Sequence, residues 1–340
     1  MKTQINTYRF KILFAFFSIY FLWGTTFLAI SYGLQGFPPF ILSGIRFSIA
    51  GLLILIWLRF KGEKILPLRN WKRNILPATL ILAAGVGLVS WSEQYLSSTE
   101  AAIVTASEPF WFILLDRKNR RNYFSNKLVL LGLTIGFAGL LLFLKDSLLS
   151  SSFSIPDGNL RRNAFLVLLA ASVLWVIGAL YSKKHPSPQS LFMNVGQQLT
   201  LGGIISLLVS AANGEWKKMN IQAVPHEAWM GLAYLIIFGS IVAYISYIWL
   251  MSQLPPAVVS THTYINPIVA VLVGWAFLSE HISAVQLAGL IIILSAVLLT
   301  NLVQYKISRR NLVLLRRLRV VTLDRVLVFT LLRNPKIRRV

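Results

Sequence analysis

The chain has 340 residues, 56% of them hydrophobic and only 13% charged, with a net charge of +22 and a mean hydropathy of +0.67. Soluble domains carry about 25% charged residues, so an ordinary water-soluble fold is excluded. The absence of cysteine also excludes disulfides, thiolate metal sites and cysteine nucleophiles.

In chain order, long apolar runs bounded by charge, proline or asparagine predict ten spans. They lie at about residues 10–31, 38–58, 74–95, 98–116, 127–144, 161–181, 190–211, 228–250, 256–278 and 284–303. The first run starts near Phe10 and continues past Ile30 without a small-residue cleavage pattern, so it reads as a span and not as a cleaved signal. A helix needs roughly 20 mostly apolar residues to cross a bilayer, and its backbone groups must be satisfied within the segment. No run alternates in the manner of a barrel strand. The expected fold class is an all-α integral membrane protein with ten transmembrane helices.

The basic residues divide unevenly between the loops. With the N-terminus inside, Lys2, Arg9 and Lys11, the cluster from Arg59 to Arg73, the cluster from Arg117 to Lys127, the pair Lys183–Lys184 and everything from Lys306 onward are cytoplasmic. Outside fall Lys145, Arg161, Arg162, Lys217 and Lys218, while Arg46 lies within a span. This bias predicts both termini in the cytoplasm. Because the charge follows the loops, the expected partner is the bilayer and not nucleic acid. The tail at 305–340 interleaves basic clusters with Leu and Val. It reads either as a segment lying on an anionic inner leaflet or as an extension with no such role.

The chain also repeats itself. A shift of 158 residues sets Trp91 on Trp249, Thr105 on Thr263 and Pro109 on Pro267. A shift of 157 sets Gly132 on Gly289, and one of 152 sets Trp23 on Trp175 and Gly44, Arg46 and Gly51 on Gly196, Gln198 and Gly203. Three similar offsets in one order predict two five-helix repeats, at 10–145 and 161–304. Five is odd, so the second repeat enters the membrane from the opposite side. Such an inverted repeat is a recurring architecture of secondary transporters, with the substrate site near the midplane between the halves.

Three segments carry a family resemblance: "FLWGTTFLAISYGLQGFPPFILSGIRFSIAGLLIL", "GLVSWSEQYLSSTEAAIVTASEPFW" and "INPIVAVLVGWAFLSEHISAVQLAGLIIILSAVLL". They are similar to EamA-type members of the drug/metabolite transporter superfamily over nearly all of residues 10–304. The resemblance implies ten helices in two repeats, a central cavity, and transport of small metabolites, often outward, across a bacterial inner membrane. The sequence departs from the family at "LLDRKNRRNYFSNK", where the fourth span ends early, and in its basic tail.

Charged and amide side chains inside spans are costly and usually face the bundle interior. Arg46 reads as a cation for a substrate anion or a gate, or as a structural cation bonded to a neighbouring helix. Glu108 and Asn266 each precede a proline, where a helix is expected to kink and free carbonyls. Glu108 could bind an amine or a proton, or pair with Arg46. His262 shares a face with Asn266 and, as a side chain that titrates near neutral pH, is a candidate for proton coupling; otherwise it donates to a nearby carbonyl. Gln198 takes the place of the arginine in the second repeat, and Trp23, Trp111 and Trp175 are candidate walls. Glu93, Gln94 and Glu100, at span ends, are expected to be solvated, with an external gate as the alternative role for Glu93 and Gln94. The small-residue sets Gly44/Gly51, Gly132/Gly136/Gly139 and Gly202/Gly203 are expected to let helices approach closely.

The sequence holds no phosphate-cradling G-x-x-x-x-G-K-[ST], no H-E-x-x-H and no G-x-S-x-G. No cofactor, metal or catalytic residue is expected. The reading is a secondary transporter, in the exporter sense, of a small organic metabolite, amino acid or drug-like compound, with protons as a candidate coupling ion. The alternative is a flippase or enzyme acting on lipid-linked intermediates.

Overall fold

A computed structural model describes residues 2–64, 71–117, 121, 124–149, 158–254, 256–279, 283–285, 287–296 and 298–299. The basic tail lies outside the described residues. All regular structure described is helical: α1 (Tyr8–Leu34), α2 (Pro39–Phe60), α3 (Lys72–Ser92), α4 (Ser98–Thr105), α5 (Glu108–Leu115) and α6 (Lys127–Leu149), then α7 (Gly158–Lys184), α8 (Leu191–Ala212), α9 (His226–Gln253), α10 (Pro256–Val259), α11 (His262–Leu278) and α12 (Leu287–Ala296). Six of these helices, α1, α2, α3, α7, α8 and α9, are long and apolar enough to cross a bilayer.

The surface is apolar, and several charged and amide side chains lie inside an otherwise apolar core. Phe10, Leu13, Phe17 and Phe21 on α1 and Leu52, Leu53 and Ile56 on α2 are exposed, whereas Arg46, Glu108, Gln197, Gln198 and Asn266 are buried. An apolar exterior with its costly polar groups turned inward is the arrangement a lipid solvent selects.

The predicted fourth and ninth spans are each two helices, but their breaks do not coincide. The first falls at Ala106–Ser107, immediately before Glu108 and Pro109. There the proline sits in the first turn of α5, where its missing N–H costs nothing. The second break falls at Ser260–Thr261, and Pro267 lies inside α11. The expectation of matched pre-proline breaks is thereby corrected. Side chains explain the displacement: Thr261 Oγ1 donates to the Val258 carbonyl (2.7 Å), His262 Nδ1 to Val259 (2.9 Å) and Thr263 Oγ1 to Ser260 (2.8 Å). Three consecutive residues therefore satisfy the carbonyls on which α10 ends.

The most extensive helix contact joins α2 to α8, and small residues make it. A Cβ at Gly51 would meet Thr200 and the Gly196 carbonyl; a Cβ at Gly203 would meet Ser48 and the Gly44 carbonyl. Both helices are 22 residues long, and a shift of 152 residues carries every member of the first contact onto the second. Three of the long helices also widen into π-helical stretches, at Ser18–Leu22 in α1, Ala78–Val86 in α3 and Leu235–Ala243 in α9. The last two are each nine residues long and 157 residues apart. Such bulges leave backbone groups out of register and gather at functional sites.

Candidate functional site

A cavity of about 90 Å³ lies where α1, α2, α3, α7, α9 and α11 meet the α4–α5 break. Trp23, Arg46, Glu108, Trp175, His262 and Asn266 all line it, together with Ser172, Ser240, Thr263 and Tyr244. Two π-helical stretches contribute to its wall through Leu82, Gly85, Val86, Gly239 and Ser240.

Each of these side chains is held by a different device. Arg46 is 4% exposed and lies over the Phe47 ring at 4.6 Å, and its Nε donates to Ser240 Oγ at 3.1 Å. The Glu93 carboxylate, just past the end of α3, attracts it. Its Nη1 is buried without a protein partner, and so is Glu108 Oε2. No ion pair joins Arg46 to Glu108. Among the described residues the cavity wall thus brings together a cation and a carboxyl group, each with an unused hydrogen-bonding position, and the two do not neutralise each other by contact.

The remaining residues are more structural. Trp23 Nε1 donates to the Gly239 carbonyl at 3.1 Å, a group made available by the π-helical stretch of α9. With its amide nitrogen turned toward carbonyls, Asn266 donates to Ile19 (2.9 Å), Tyr20 (2.9 Å) and His262 (3.0 Å), so it ties α11 to the π-helical stretch of α1. A carbonyl only accepts, so the His262 bond to Val259 places the proton on Nδ1 and leaves Nε2 as the other ring nitrogen. The Trp23 and Trp175 rings meet edge to face at 5.5 Å, and both contact Tyr247.

Two sequence candidates lie elsewhere. Gln198 is not in the cavity wall; its Oε1 accepts from Tyr244 Oη at 2.6 Å and its Nε2 donates to Asn74 Oδ1 at 3.1 Å. It stands behind Tyr244, which does line the cavity. Trp111 donates to Ser107 Oγ at 3.1 Å and packs at the edge of the aromatic core.

The expectation that Glu93 and Glu100 are solvated is also corrected, since both are buried. Glu100 completes a capping box with Ser97 at the start of α4 and forms an ion pair with Arg161. That pairing gives a role to one of the basic residues that the charge bias places outside. Glu93 Oε2 accepts from Ser31 Oγ at 3.3 Å, while Gln94 is exposed.

Sequence reading passed over Asn74, Ser240, Tyr244 and Tyr247. The two tyrosines fall on Gly87 and Ser90 under the 157-residue shift, so matching by identity could not find them. A second space of about 450 Å³, lined by Asn74, Ser182, Lys183, Asn194 and Tyr247, lies on the other side of these rings. Tyr247 and the chain Asn74–Gln198–Tyr244 separate it from the central cavity.

Comparison with known proteins places this arrangement in context. The profile of the EamA-like transporter family matches residues 10–145 and again residues 162–302. The chain is 32% identical over 299 residues to the uncharacterized inner membrane transporter YedA of Escherichia coli K12, covering 86% of this chain and 90% of that one. It is 21% identical over 307 residues to the uncharacterized transporter YoaV of Bacillus subtilis, covering 88% and 99%. Protein PecM of Dickeya dadantii is 24% identical over 286 residues, covering 82% and 89%. A solved crystal structure with 18% identity superposes with a TM-score of 0.60 over 88% of this chain and 98% of its own, a likeness of fold.

Proposed function

This chain belongs to the EamA-like transporter family and is a membrane transporter, not an enzyme; from that premise we propose that it is a secondary active exporter of a small dipolar metabolite, working by alternating access across an inner membrane. Its two repeats are residues 10–145 and 161–304, inverted in the membrane, with both termini cytoplasmic. Three observations support the repeat: the family profile matches twice, the α2–α8 contacts are reciprocal, and the nine-residue π-helical stretches of α3 and α9 recur.

The observation that carries the substrate reading is the pair of unused groups in one cavity, Arg46 Nη1 and Glu108 Oε2. A solute bearing both an amine and a carboxylate, such as an amino acid, satisfies both. A solute with a single charge leaves one group buried and unpaired, which costs about 1–3 kcal/mol. Trp23 and Trp175 provide flat walls for its apolar part. At about 90 Å³ the cavity is well below the 300–1,000 Å³ of pockets that hold drug-sized ligands, so the substrate is small or the site widens on binding. Glu108 and His262 are the groups through which protons would couple.

Thermal-shift screening of the purified protein against amino acids, polyamines, nucleobases and sugars tests this reading, because a ligand of the folded state raises its apparent stability. A dipolar ligand is expected to stabilise the wild type and to lose that effect in both Glu108→Gln and Arg46→Gln. Stabilisation by polyamines that survives Arg46→Gln would replace the dipolar substrate with a purely cationic one. Ligands indifferent to both substitutions would remove the cavity from consideration.

A further inference from the structure

Glu63 and Glu215 occupy equivalent places at the turns that follow α2 and α8. Helix α2 ends at Phe60 and is followed by Lys61, Gly62 and Glu63; α8 ends at Ala212 and is followed by Asn213, Gly214 and Glu215. Gly62 and Gly214 both take left-handed backbone, with φ of 83° and 69°. A Cβ on either would meet nothing within 4 Å, so these glycines serve the turn and not close packing. The hydrogen bonds repeat as well: Lys61 N to Trp57 O and Gly62 N to Arg59 O in one, Asn213 N to Val209 O and Gly214 N to Ala211 O in the other. All of these pairs are related by 152 residues.

Because α2 and α8 lie side by side in opposite directions, each turn delivers its glutamate to the first turn of the other helix. Helix α2 begins with Pro38 and Pro39, and Pro38 provides no side-chain cap. The orphan N–H groups behind them are taken by Glu215, whose carboxylate accepts from Phe40 N at 3.4 Å and Ile41 N at 3.0 Å and is 7% exposed. The equivalent amides in α8 are those of Phe192 and Met193. There Ser190 Oγ accepts from Met193 N at 3.3 Å, and Glu63 is exposed, its carboxylate accepting among the described residues from Ser190 Oγ at 3.1 Å. The two carboxylates are alike in position and unlike in engagement.

We propose that Glu63 and Glu215 are alternating end clamps of the transport cycle, each seated on the partner repeat's helix N-terminus when its own membrane face is closed. This rests on the alternating-access reading above, in which inverted repeats exchange conformations. In the state described, the Glu215 end is clamped. In the opposite state Glu215 is released and Glu63 takes the amides of Phe192 and Met193. The close contact at Gly51 and Gly203 serves as the pivot, so closing one end opens the other. A carboxylate suits both places, because a helix N-terminus attracts negative charge.

The chain has no cysteine, so single cysteines introduced at Ile30, toward the Glu215 end, and at Ser182, in the space at the Glu63 end, report which face is open. The readout is labelling of each cysteine by a membrane-impermeant maleimide supplied on that cysteine's own side of oriented vesicles. Glu215→Ala is expected to raise Ile30→Cys labelling relative to Ser182→Cys labelling about fivefold, the weight of one helix cap. Glu63→Ala is expected to move the same ratio in the opposite direction. Glu215→Gln, which keeps one acceptor oxygen, guards against misfolding and is expected to give a smaller shift of the same sign as Glu215→Ala. Glu63 is exposed, so its arm of the test stands independently. Shifts of one sign for both residues, or no shift from Glu63→Ala, overturn the clamp. If in the unmutated background one of the two cysteines never labels, the alternating-access reading fails and the clamp fails with it; if both label but ignore Glu63→Ala, only the clamp fails.

Discussion

Replacing Gly51 with alanine adds one methyl group where α2 and α8 pack backbone to backbone. The new Cβ would stand 2.5 Å from the Thr200 backbone nitrogen and 2.9 Å from the Gly196 carbonyl, where ordinary contact begins at 3.4 Å. Backbone atoms cannot rotate away, so α2 and α8 must part by about 0.9 Å at this point. A gap of that size forfeits a quarter to a half of the dispersion energy at each affected contact, and overpacking of this kind costs about 1–3 kcal/mol. Lipid tails are as apolar as the helices, so no hydrophobic drive restores the contact. Gly203→Ala, whose Cβ would meet Ser48 and the Gly44 carbonyl, is expected to cost the same within about 0.5 kcal/mol. Once the helices have parted, the second methyl adds little, so the double variant should fall well short of additivity. Gly196→Ala offers a contrast, because its Cβ would meet only leucine and isoleucine side-chain carbons at 3.0–3.2 Å, which can shift. Reversible unfolding in mixed detergent micelles measures all four. Gly51→Ala as stable as wild type, or Gly51→Ala and Gly203→Ala differing by more than about 1 kcal/mol, would refute the reciprocal crossing.

Glu100→Ala removes both the capping box of α4 and the ion pair with Arg161. Arg161 is 43% exposed, so solvent discounts the pair, and a loss of about 1–3 kcal/mol is expected in the same unfolding assay. Tyr244→Phe leaves Gln198 Oε1 without its donor at 2.6 Å and should cost about 1–2 kcal/mol; a neutral result would mean that the Asn74–Gln198–Tyr244 chain does not hold the helices together. Trp175→Phe should weaken binding of whichever solute stabilises the wild type by about tenfold, whereas Trp111→Phe, outside the cavity wall, should leave binding unchanged. Equal effects of these two substitutions in ligand titrations would mean that the cavity is not the binding site.

Much of the helix layout was legible because hydrophobicity over twenty residues is a strong signal, and α2, α3, α8 and α9 begin and end within a few residues of the runs that predicted them. The gathering of Arg46, Glu108, His262 and Asn266 was legible for a related reason, since each is too polar to face lipid and the interior is small. Gln198 misled because its partners, Asn74 and Tyr244, are far away in sequence and satisfy it without the cavity. Glu100 misled because hydropathy cannot distinguish a span end in water from one buried under Arg161. The break before His262 was missed because proline dominates local reading, whereas the hydroxyls and imidazole of Thr261–Thr263 decide where the carbonyls can be released.

The proposed repeat is also informative where it is broken. The shift that superposes the π-helical stretches sets Tyr244 on Gly87 and Tyr247 on Ser90. In α3 the small residues are met by Phe40, close to Gly87, and by Ser43, which bonds Ser90 at 3.3 Å. In α9 the tyrosines fill the equivalent space: Tyr247 contacts Trp23 at 5.1 Å, Trp175 at 5.5 Å and His262 at 5.9 Å. Each aromatic pair contributes about 0.5–1.5 kcal/mol beyond its buried area, so opening the cavity past Tyr247 means parting contacts that hold both halves together. On the other side Ile30 and Val89 line the cavity with aliphatic surface. If the two ends open in turn, as the proposed cycle requires, they differ in what must part, with Tyr247 and its ring contacts at one end and Ile30 and Val89 at the other.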